Sequence, residues 1–417
     1  MKSELKILIV SQYFHPEHFQ INKVAKILVQ RGCKVTVLTG KPNYPEGRFF
    51  KGYRPWAFTE ECVDRIHILR TPIVRRGMRN RFLLTINYIS FVLSASFFGW
   101  LRLRKEKFDL VYCYGTSPIL QAIPAIVLAR ANAAPLVLNV QDLWPQSIQA
   151  SGNINNSAII NSVGVIVRFI YQKCDLIIGS SRSFVPEIKK LAGNSLVDYL
   201  PNFADAESEI NHSLDAQYSA KLSEIDKVLD NCFTCVFTGN LGKSQSLETI
   251  IAAAHHLSAE SHIKIVVFGF GNQFDWLKSQ INLLNLTNLH LMGRFPPDMM
   301  PFVMSKAGCL LCCLADTKIF RMTVPNKIQS YLAAGRPIVA CMAGEGAQIV
   351  SDAEAGVVCH PGDGLALANA ILELSNSPKK HLRKLGANGR QYFNNNYKDE
   401  LIVTELMKKF SKKVEKK

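Results

Sequence analysis

The sequence predicts an α/β protein built from two Rossmann-like, doubly wound domains with a cleft between them. Three observations predict it. The chain has 417 residues, more than one core ordinarily organises and enough for two domains of roughly 200 residues. It is 48% hydrophobic and 20% charged and has no long low-complexity run, a composition that excludes a disordered chain. Its apolar residues fall in short continuous runs separated by helical segments, as parallel strands covered on both faces require.

Taken in order, LKILIVSQYF (5–14) opens as a strand and turns at His15–Pro16. NKVAKILVQRG (22–32) carries Val24, Ile27 and Leu28 at helical spacing and stops at Gly32. KVTVLTG (34–40), DLVYCYG (109–115), APLVLNVQD (134–142) and CDLIIGSS (174–181) read as the remaining strands of the first series. LPNFADAESE (200–209), with its Pro, Asn and acids, marks the junction, so the first domain spans 1–203 and the second 204–397. The second series is CVFTGNLG (235–242), IKIVVFGFG (263–271), LHLMGRF (289–295), GCLLCCL (308–314) and RPIVACM (336–342).

FLLTINYISFVLSASFFGWL (82–101) departs from this pattern. It carries no charge and is bracketed by Arg75, Arg76, Arg79 and Arg81 before and by Arg102, Arg104 and Lys105 after. Its length meets the minimum for a membrane span. Thr85, Asn87, Ser90, Ser94 and Ser96 dilute it, however, and cations on both sides give no inside–outside asymmetry. Three readings stand: a helix packed on the first sheet with one face in the membrane interface, a fully buried core helix, or a true span.

The net charge of +16 is uneven: residues 1–200 hold 26 Lys+Arg against 12 Asp+Glu, and the rest 23 against 21. A basic first half suggests an anionic partner, whether a membrane surface, a lipid pyrophosphate or a nucleic acid. No nucleic-acid motif is recognisable, so the membrane reading leads and no nucleic-acid partner is expected. The apolar stretch of MKSELKILIV is too short for a signal peptide. The eleven cysteines have no regular framework, as expected of reduced thiols in the cytoplasm. Cys232 with Cys235, and Cys309 with Cys312 and Cys313, lie in apolar runs that read as core strands; a metal or redox site is the alternative, without a His or Cys partner at ligand spacing.

In doubly wound sheets ligands bind beyond the carboxyl ends of the strands, and the candidate residues stand there. In TGNLGKSQSLETII, the amides of Gly239, Asn240 and Gly242, a helix N-terminus and Lys243 make a diphosphate cradle; an ordinary turn with a solvated Lys fits equally. FGFGNQ (268–273) places the base end of a nucleotide near Phe268, Gly269, Gly271 and Asn272, with a tight turn as the simpler explanation. TVPNKIQSYLAAGRPIVA (323–340) is the most specific stretch: Pro325, Asn326 and Lys327 start a helix whose amides can hold an anion. In the first half, QDLWPQS supplies Gln141, Asp142 and Trp144, YGTSP supplies Thr116 and Ser117, and YFHPEHF supplies His15, Glu17 and His18, all facing the cleft.

The order of these motifs resembles the GT-B, retaining glycosyltransferases of the large family 4 group. The likeness is closest to the O-antigen and capsule branch that includes L-fucosamine (N-acetyl-L-fucosamine) transferases. SQYFHPE, QDLWPQS, SSRSF, LPNFAD, TGNLGKSQSLE and VPNKIQSYLAAGRPIVA carry it across nearly the whole chain. The resemblance implies a UDP-sugar donor on the second domain and a lipid-pyrophosphate-linked saccharide acceptor on the first. It also implies retention, no metal or other cofactor, and a final helix (about 398–414) returning to the first domain; the charge asymmetry and the 82–101 segment add the expectation of work at the inner face of the cytoplasmic membrane.

Departures from the family pattern are specific. Met322 and Ser330 stand where two glutamates are usual, leaving Glu345 as the nearest acid. Asn240 stands in place of an Arg, so Lys243 is the only cation of its loop, and Gln141 in place of a His. The first loop's usual glycine pair is replaced around Phe19–Gln20. On this reading Lys243, with Lys327 and the loop amides, stabilises the departing diphosphate, which itself takes the acceptor proton. Asp142 is the other catalytic candidate, as a base or as an anchor for a sugar hydroxyl. Three competitors share parts of the pattern: a GT-B UDP-HexNAc 2-epimerase, a non-catalytic GT-B partner subunit, and a Rossmann oxidoreductase. Against the last, no GxGxxG follows the first strand.

Overall fold

In the computed structural model, residues 4–77, 81–150, 156–204, 214–229 and 232–415 are described. Arg79, the side chain of Arg81 and residues 205–209 of the expected junction lie outside them. Chain contacts divide the molecule into Met1–Pro201 with Glu400–Lys417, and Asn202–Asp399.

The first unit runs β1 (Lys6–Val10), α1 (Gln20–Gln30), β2 (Lys34–Gly40), β3 (Thr59–Val63), β4 (Ile66–Thr71), α2 (Arg81–Leu103), β5 (Leu110–Gly115), α3 (Ala122–Ala131), β6 (Leu136–Val140), α4 (Gln146–Ala150), α5 (Ser157–Tyr171), β7 (Leu176–Gly179), α6 (Phe184–Ala192) and β8 (Leu196–Tyr199). Its eight strands are ordered β3-β4-β2-β1-β5-β6-β7-β8 and are parallel except for β3. The central strands are buried along nearly their whole length, which is why they read as continuous apolar runs. The strands that sequence reading passes over are β3, β4 and β8. TEECV and LVDY are edge strands with partly exposed, polar residues, and Arg70 interrupts the apolar pattern of β4.

Residues 82–101 are helical, within α2, and not a fully buried core helix: Asn87, Phe91 and Ala95 are buried at 0% exposure, whereas Leu93 is 65% exposed. Asn87 is held from two sides, accepting from Gln12 Nε2 (2.8 Å) and donating to Val74 O (2.6 Å), and Ser90 Oγ accepts from Val74 N. These polar bonds fix α2 along the sheet.

The second unit runs α7 (Leu214–Leu229), β9 (Phe233–Asn240), α8 (Leu247–His256), β10 (Ile263–Phe270), α9 (Phe274–Leu283), β11 (Leu289–Gly293), α10 (Met300–Lys306), β12 (Cys309–Cys313), α11 (Lys318–Met322), α12 (Asn326–Ala334), β13 (Ile338–Cys341), α13 (Glu345–Asp352), β14 (Gly356–Cys359), α14 (Gly364–Asn376) and α15 (Lys379–Asn396). Its six strands are all parallel, in the order β11-β10-β9-β12-β13-β14. Cys235, Cys309, Cys312 and Cys313 lie in this sheet at 0% exposure, while Cys232 is half-buried. Among the described residues no three His, Cys, Asp or Glu side chains are grouped to hold a metal ion.

The last helix, α16 (Asp399–Val414), packs on the first unit: Phe410 sits edge-on to Tyr112 of β5 at 5.1 Å, Arg31 donates to Thr404 Oγ1, and Lys409 pairs with Asp198.

Candidate functional site

On the second unit the candidate residues gather at the carboxyl ends of β9 and β10 and at the start of α12. Pro325 caps α12, and Gly335, at φ 66°, ends it in the left-handed region where glycine is at home. Tyr331 locks the helix under the sheet, accepting from Thr238 N (3.0 Å) and donating to Leu311 O (3.2 Å). One turn earlier, Lys327 is thereby carried to the exit of β9. Its ammonium lies 3.6 Å from the centre of the Phe237 ring and donates to Gln245 Oε1. Among the described residues it has no carboxylate partner, and burial pulls its pKa down to about 8.

Gly239, at φ 132°, faces the Lys327 stem: a Cβ there would lie 2.7 Å from Lys327 Cε. Gly269 and Gly271 serve close approach between strands, since a Cβ on either would overlap the carbonyl of Gly239 or of Leu241. Asn240 and Asn272 converge on Gly242, whose Cβ would be 3.1 Å from Asn240 Nδ2 and 3.7 Å from Asn272 Oδ1. Lys243 is exposed at the start of a 3-10 turn, Lys243–Gln245, that precedes α8. The loop therefore does not run directly into a helix N-terminus, as the sequence suggests; Ser246, in the left-handed region, intervenes.

Phe268 corrects a second expectation. It is 1% exposed and packs edge-on to Phe295 in the core, so it cannot hold a base. Alternate strand residues face opposite ways, and the aromatic side chain at this exit that reaches solvent is Phe270, tilted on Phe274 at 5.0 Å. Ser330 donates to Asn326 O within its own helix. Asn326 Oδ1 in turn accepts from Asn202 Nδ2 (2.9 Å). Glu345 opens α13 after Gly344 and is half-buried, and Gly346 beside it lets the chain pass Pro325, whose Cδ a Cβ would approach to 3.3 Å. A separate open cavity of about 720 Å³, lined by Arg336, Lys379, Arg383 and Arg390, lies at the amino ends of β9, β12 and β13, away from these loops.

On the first unit, Ser117 and Asp142 meet at the ends of β5 and β6. Ser117 Oγ donates to Asp142 Oδ2 (2.7 Å) and accepts from Trp144 Nε1 (3.1 Å). Burial raises the Asp142 pKa, and the Ser117 hydrogen bonds oppose that rise. Thr116 accepts from Gln121 through its carbonyl and its hydroxyl, and Gln141 donates to Asn139 Oδ1.

Glu17 does not face a ligand. It is 2% exposed and accepts from the backbone amides of Asn43 (2.8 Å), Tyr44 (2.7 Å) and Phe14 (3.3 Å), clamping the loop after β2 to the loop after β1. Its pKa rises to about 7 because burial outweighs those bonds. His15 and His18, in the same loop, are exposed. Above the clamp stands an aromatic group that sequence reading misses. Tyr13 and Phe19 stack at 5.0 Å, Tyr44 tilts against both, and the Arg76 guanidinium lies 4.9 Å from the Tyr44 ring. Tyr44 and Arg76 lie far from Tyr13 and Phe19 in sequence, so only the fold assembles the group.

Lys327 and the Gly239–Lys243 loop thus lie at the exit of β9 on one unit, and the Ser117–Asp142 pair lies at the ends of β5 and β6 on the other. Comparison with known proteins decides the class. Residues 19–202 match the "Glycosyl transferase 4-like domain", and residues 232–377 match "Glycosyl transferases group 1". The chain is a glycosyltransferase of GT-B type. It is 25% identical over 374 residues to WcaI of Escherichia coli (strain K12), covering 87% of this chain and 88% of that one. The name of WcaI assigns it provisionally to colanic acid biosynthesis as a glycosyl transferase. Among solved structures, sucrose-phosphate synthase from Thermosynechococcus elongatus superposes with a TM-score of 0.71 at 15% identity, over 98% of this chain and 99% of its own. HepE of Anabaena, solved with UDP and glucose and also with UDP-glucose, gives 0.69 at 16% identity in the first of these complexes, over 98% and 100%.

Proposed function

We propose that this glycosyltransferase moves a sugar from a UDP-sugar, held by the second unit, to a lipid-pyrophosphate-linked saccharide, held by the first. The reaction retains configuration and belongs to O-antigen or capsule assembly at the cytoplasmic face of the membrane. The sugar is an N-acetylated amino or deoxyamino sugar such as L-FucNAc, as the QS-for-glutamate pattern of residues 329–330 suggests. The similarity to WcaI supports the surface-polysaccharide setting, and the likeness to HepE, solved with UDP and UDP-glucose, supports the donor.

The observation that carries the reading is Lys327: an ammonium desolvated on the Phe237 ring, without a carboxylate among the described residues, beside the open backbone of Gly239. A site that holds such a charge unneutralised favours an anion that neutralises it. In the transfer, the bond from the anomeric carbon to the diphosphate oxygen breaks and its electron pair passes to the UDP. The acceptor oxygen bonds the same face of that carbon, and its proton passes to the leaving phosphate. Lys327 and the Gly239–Lys243 loop stabilise the charge that develops on the diphosphate. No metal or other cofactor takes part in this proposal. Asp142, oriented by Ser117, anchors the acceptor hydroxyl.

The test is a panel of UDP-sugars (GlcNAc, FucNAc, QuiNAc and Gal) assayed for hydrolysis and for transfer to a lipid-linked saccharide extract. One UDP-sugar turning over with release of UDP is the expected result. Isomerised sugar without UDP release, or no turnover of any of them, contradicts it.

A further inference from the structure

Ten of the eighteen large apolar side chains exposed among the described residues lie on two helices of the first unit. On α2 they are Phe82, Ile89, Leu93, Phe97, Trp100 and Leu101, exposed by 40–73%. On α5 they are Ile159, Val165, Ile166 and Phe169, exposed by 37–69%. The opposite stripes, Asn87, Phe91 and Ala95 on α2 and Val167, Ile170 and Tyr171 on α5, are fully buried. The two outward stripes share one side of the sheet. The connections β4–α2–β5, β5–α3–β6 and β6–α5–β7 all advance in one direction across it, and right-handed crossovers then put their helices on one face. Accordingly α2 packs on α3, and α3 touches α5.

Charge singles out what covers these stripes. Neither α2 nor α5 contains an Asp or Glu. The aromatic near the C-terminal end of each carries a cation over its ring: the Arg104 guanidinium lies 4.2 Å from the Trp100 ring, and the Lys173 ammonium 5.8 Å from that of Phe169. Apolar bodies with cations reaching past them match a bilayer interface, where rings enter the acyl boundary and cations meet phosphates. A second copy docked on the same stripes would bring together two faces whose helices carry cations and no carboxylate, like charge against like.

We propose that α2 and α5 together form a flat docking face for an anionic lipid bilayer, both helices lying in the plane of the interface. The inference rests on an acceptor carried by a lipid, and it states how the protein reaches one. α2 lies on the bilayer and does not cross it, because Asn87, Phe91 and Ala95 are committed to the sheet.

The full chain is sedimented with vesicles of phosphatidylcholine alone, and with vesicles containing an equal part of phosphatidylglycerol, without donor or acceptor. The wild type binds the mixed vesicles and much less of the neutral ones. Leu93→Glu with Phe97→Glu, and separately Val165→Glu with Phe169→Glu, each reduce binding at least about tenfold. Both variants keep the wild-type melting temperature and UDP binding, since all four side chains face outward. No wild-type binding at low salt overturns the proposal, as does wild-type binding by the α5 variant. Self-association that the same substitutions abolish also overturns it, because the face would then meet protein. Vesicle binding by a chain that turns over no UDP-sugar supports this inference and contradicts the transfer reading.

Discussion

Lys327 combines two properties that ordinarily exclude each other, a desolvated stem and a charge at neutral pH. Replacing it with Met removes a poorly solvated ammonium from beside Phe237 and leaves a side chain of similar length. Lys327→Met is therefore expected to raise the melting temperature of the unliganded protein while lowering transfer at least about tenfold. The pH dependence has a definite sign. With the folded pKa at about 8 against an ordinary 10.5, the unfolded chain binds the extra proton between those values, so stability rises with pH across that window. Donor binding needs the ammonium, so KM for the UDP-sugar climbs above about pH 8. Wild-type profiles that Lys327→Met leaves unchanged would remove the assignment. Lys243, exposed on its 3-10 turn, is expected to matter less: Lys243→Ala raises the donor KM but costs less turnover than Lys327→Met.

On the proposed reading Asp142 acts on the other substrate. Because burial raises its pKa, protonation begins at a higher pH than for a solvated carboxylate, and acceptor turnover falls on that acid limb. Asp142→Asn is expected to lower kcat/KM for the acceptor and flatten the limb while leaving the donor KM unchanged; a changed donor KM argues against it. At this scale the sequence is only partly legible. It marks Pro325–Lys327 by a cap beside a cation, but Phe268 and Phe270 look alike in an all-apolar run, and only the pleat tells which one is inside. Glu17 reads as a cleft-facing acid because its amide partners Asn43 and Tyr44 lie 26 and 27 residues away.

Among the elements, α12 carries Lys327, the proposed donor-side cation, and Tyr331 holds the helix. Its hydroxyl satisfies Thr238 N and Leu311 O inside the core. Tyr331→Phe leaves the buried amide of Thr238 without that acceptor, at a cost of about 1–3 kcal/mol. Denaturant unfolding measures the loss, and UDP affinity falls with it as Lys327 loses its mounting. An unchanged midpoint would show that the sheet satisfies these groups without Tyr331. Helices and central strands are legible because their periodicity is local: KVTVLTG corresponds to β2 residue for residue. The edge strands β3, β8 and β14 are short and partly polar or exposed, so tertiary pairing decides them where local pattern does not. α2 shows the limit from the other side. Composition alone leaves three readings open, and the exposure of Leu93 and Phe97 opposite the buried Asn87–Phe91–Ala95 stripe removes the fully buried one.

For the whole molecule, the strand–helix alternation suffices to predict two parallel-sheet units, and both match glycosyltransferase domains. The identity of the sugar depends on a few contacts that no periodicity marks. The basic excess of residues 1–200 belongs to the unit that carries α2 and α5. On the proposed reading, that coincidence links the acceptor side of the chemistry to a lipid surface.

The central claim is that the second unit holds a UDP-sugar through Lys327. Titration calorimetry of UDP into the wild type and into Lys327→Met tests it without knowledge of the sugar or the acceptor. Binding by the wild type, weakened at least about tenfold in the variant, is the predicted result. No UDP binding by the wild type, or equal binding by both proteins, would contradict it.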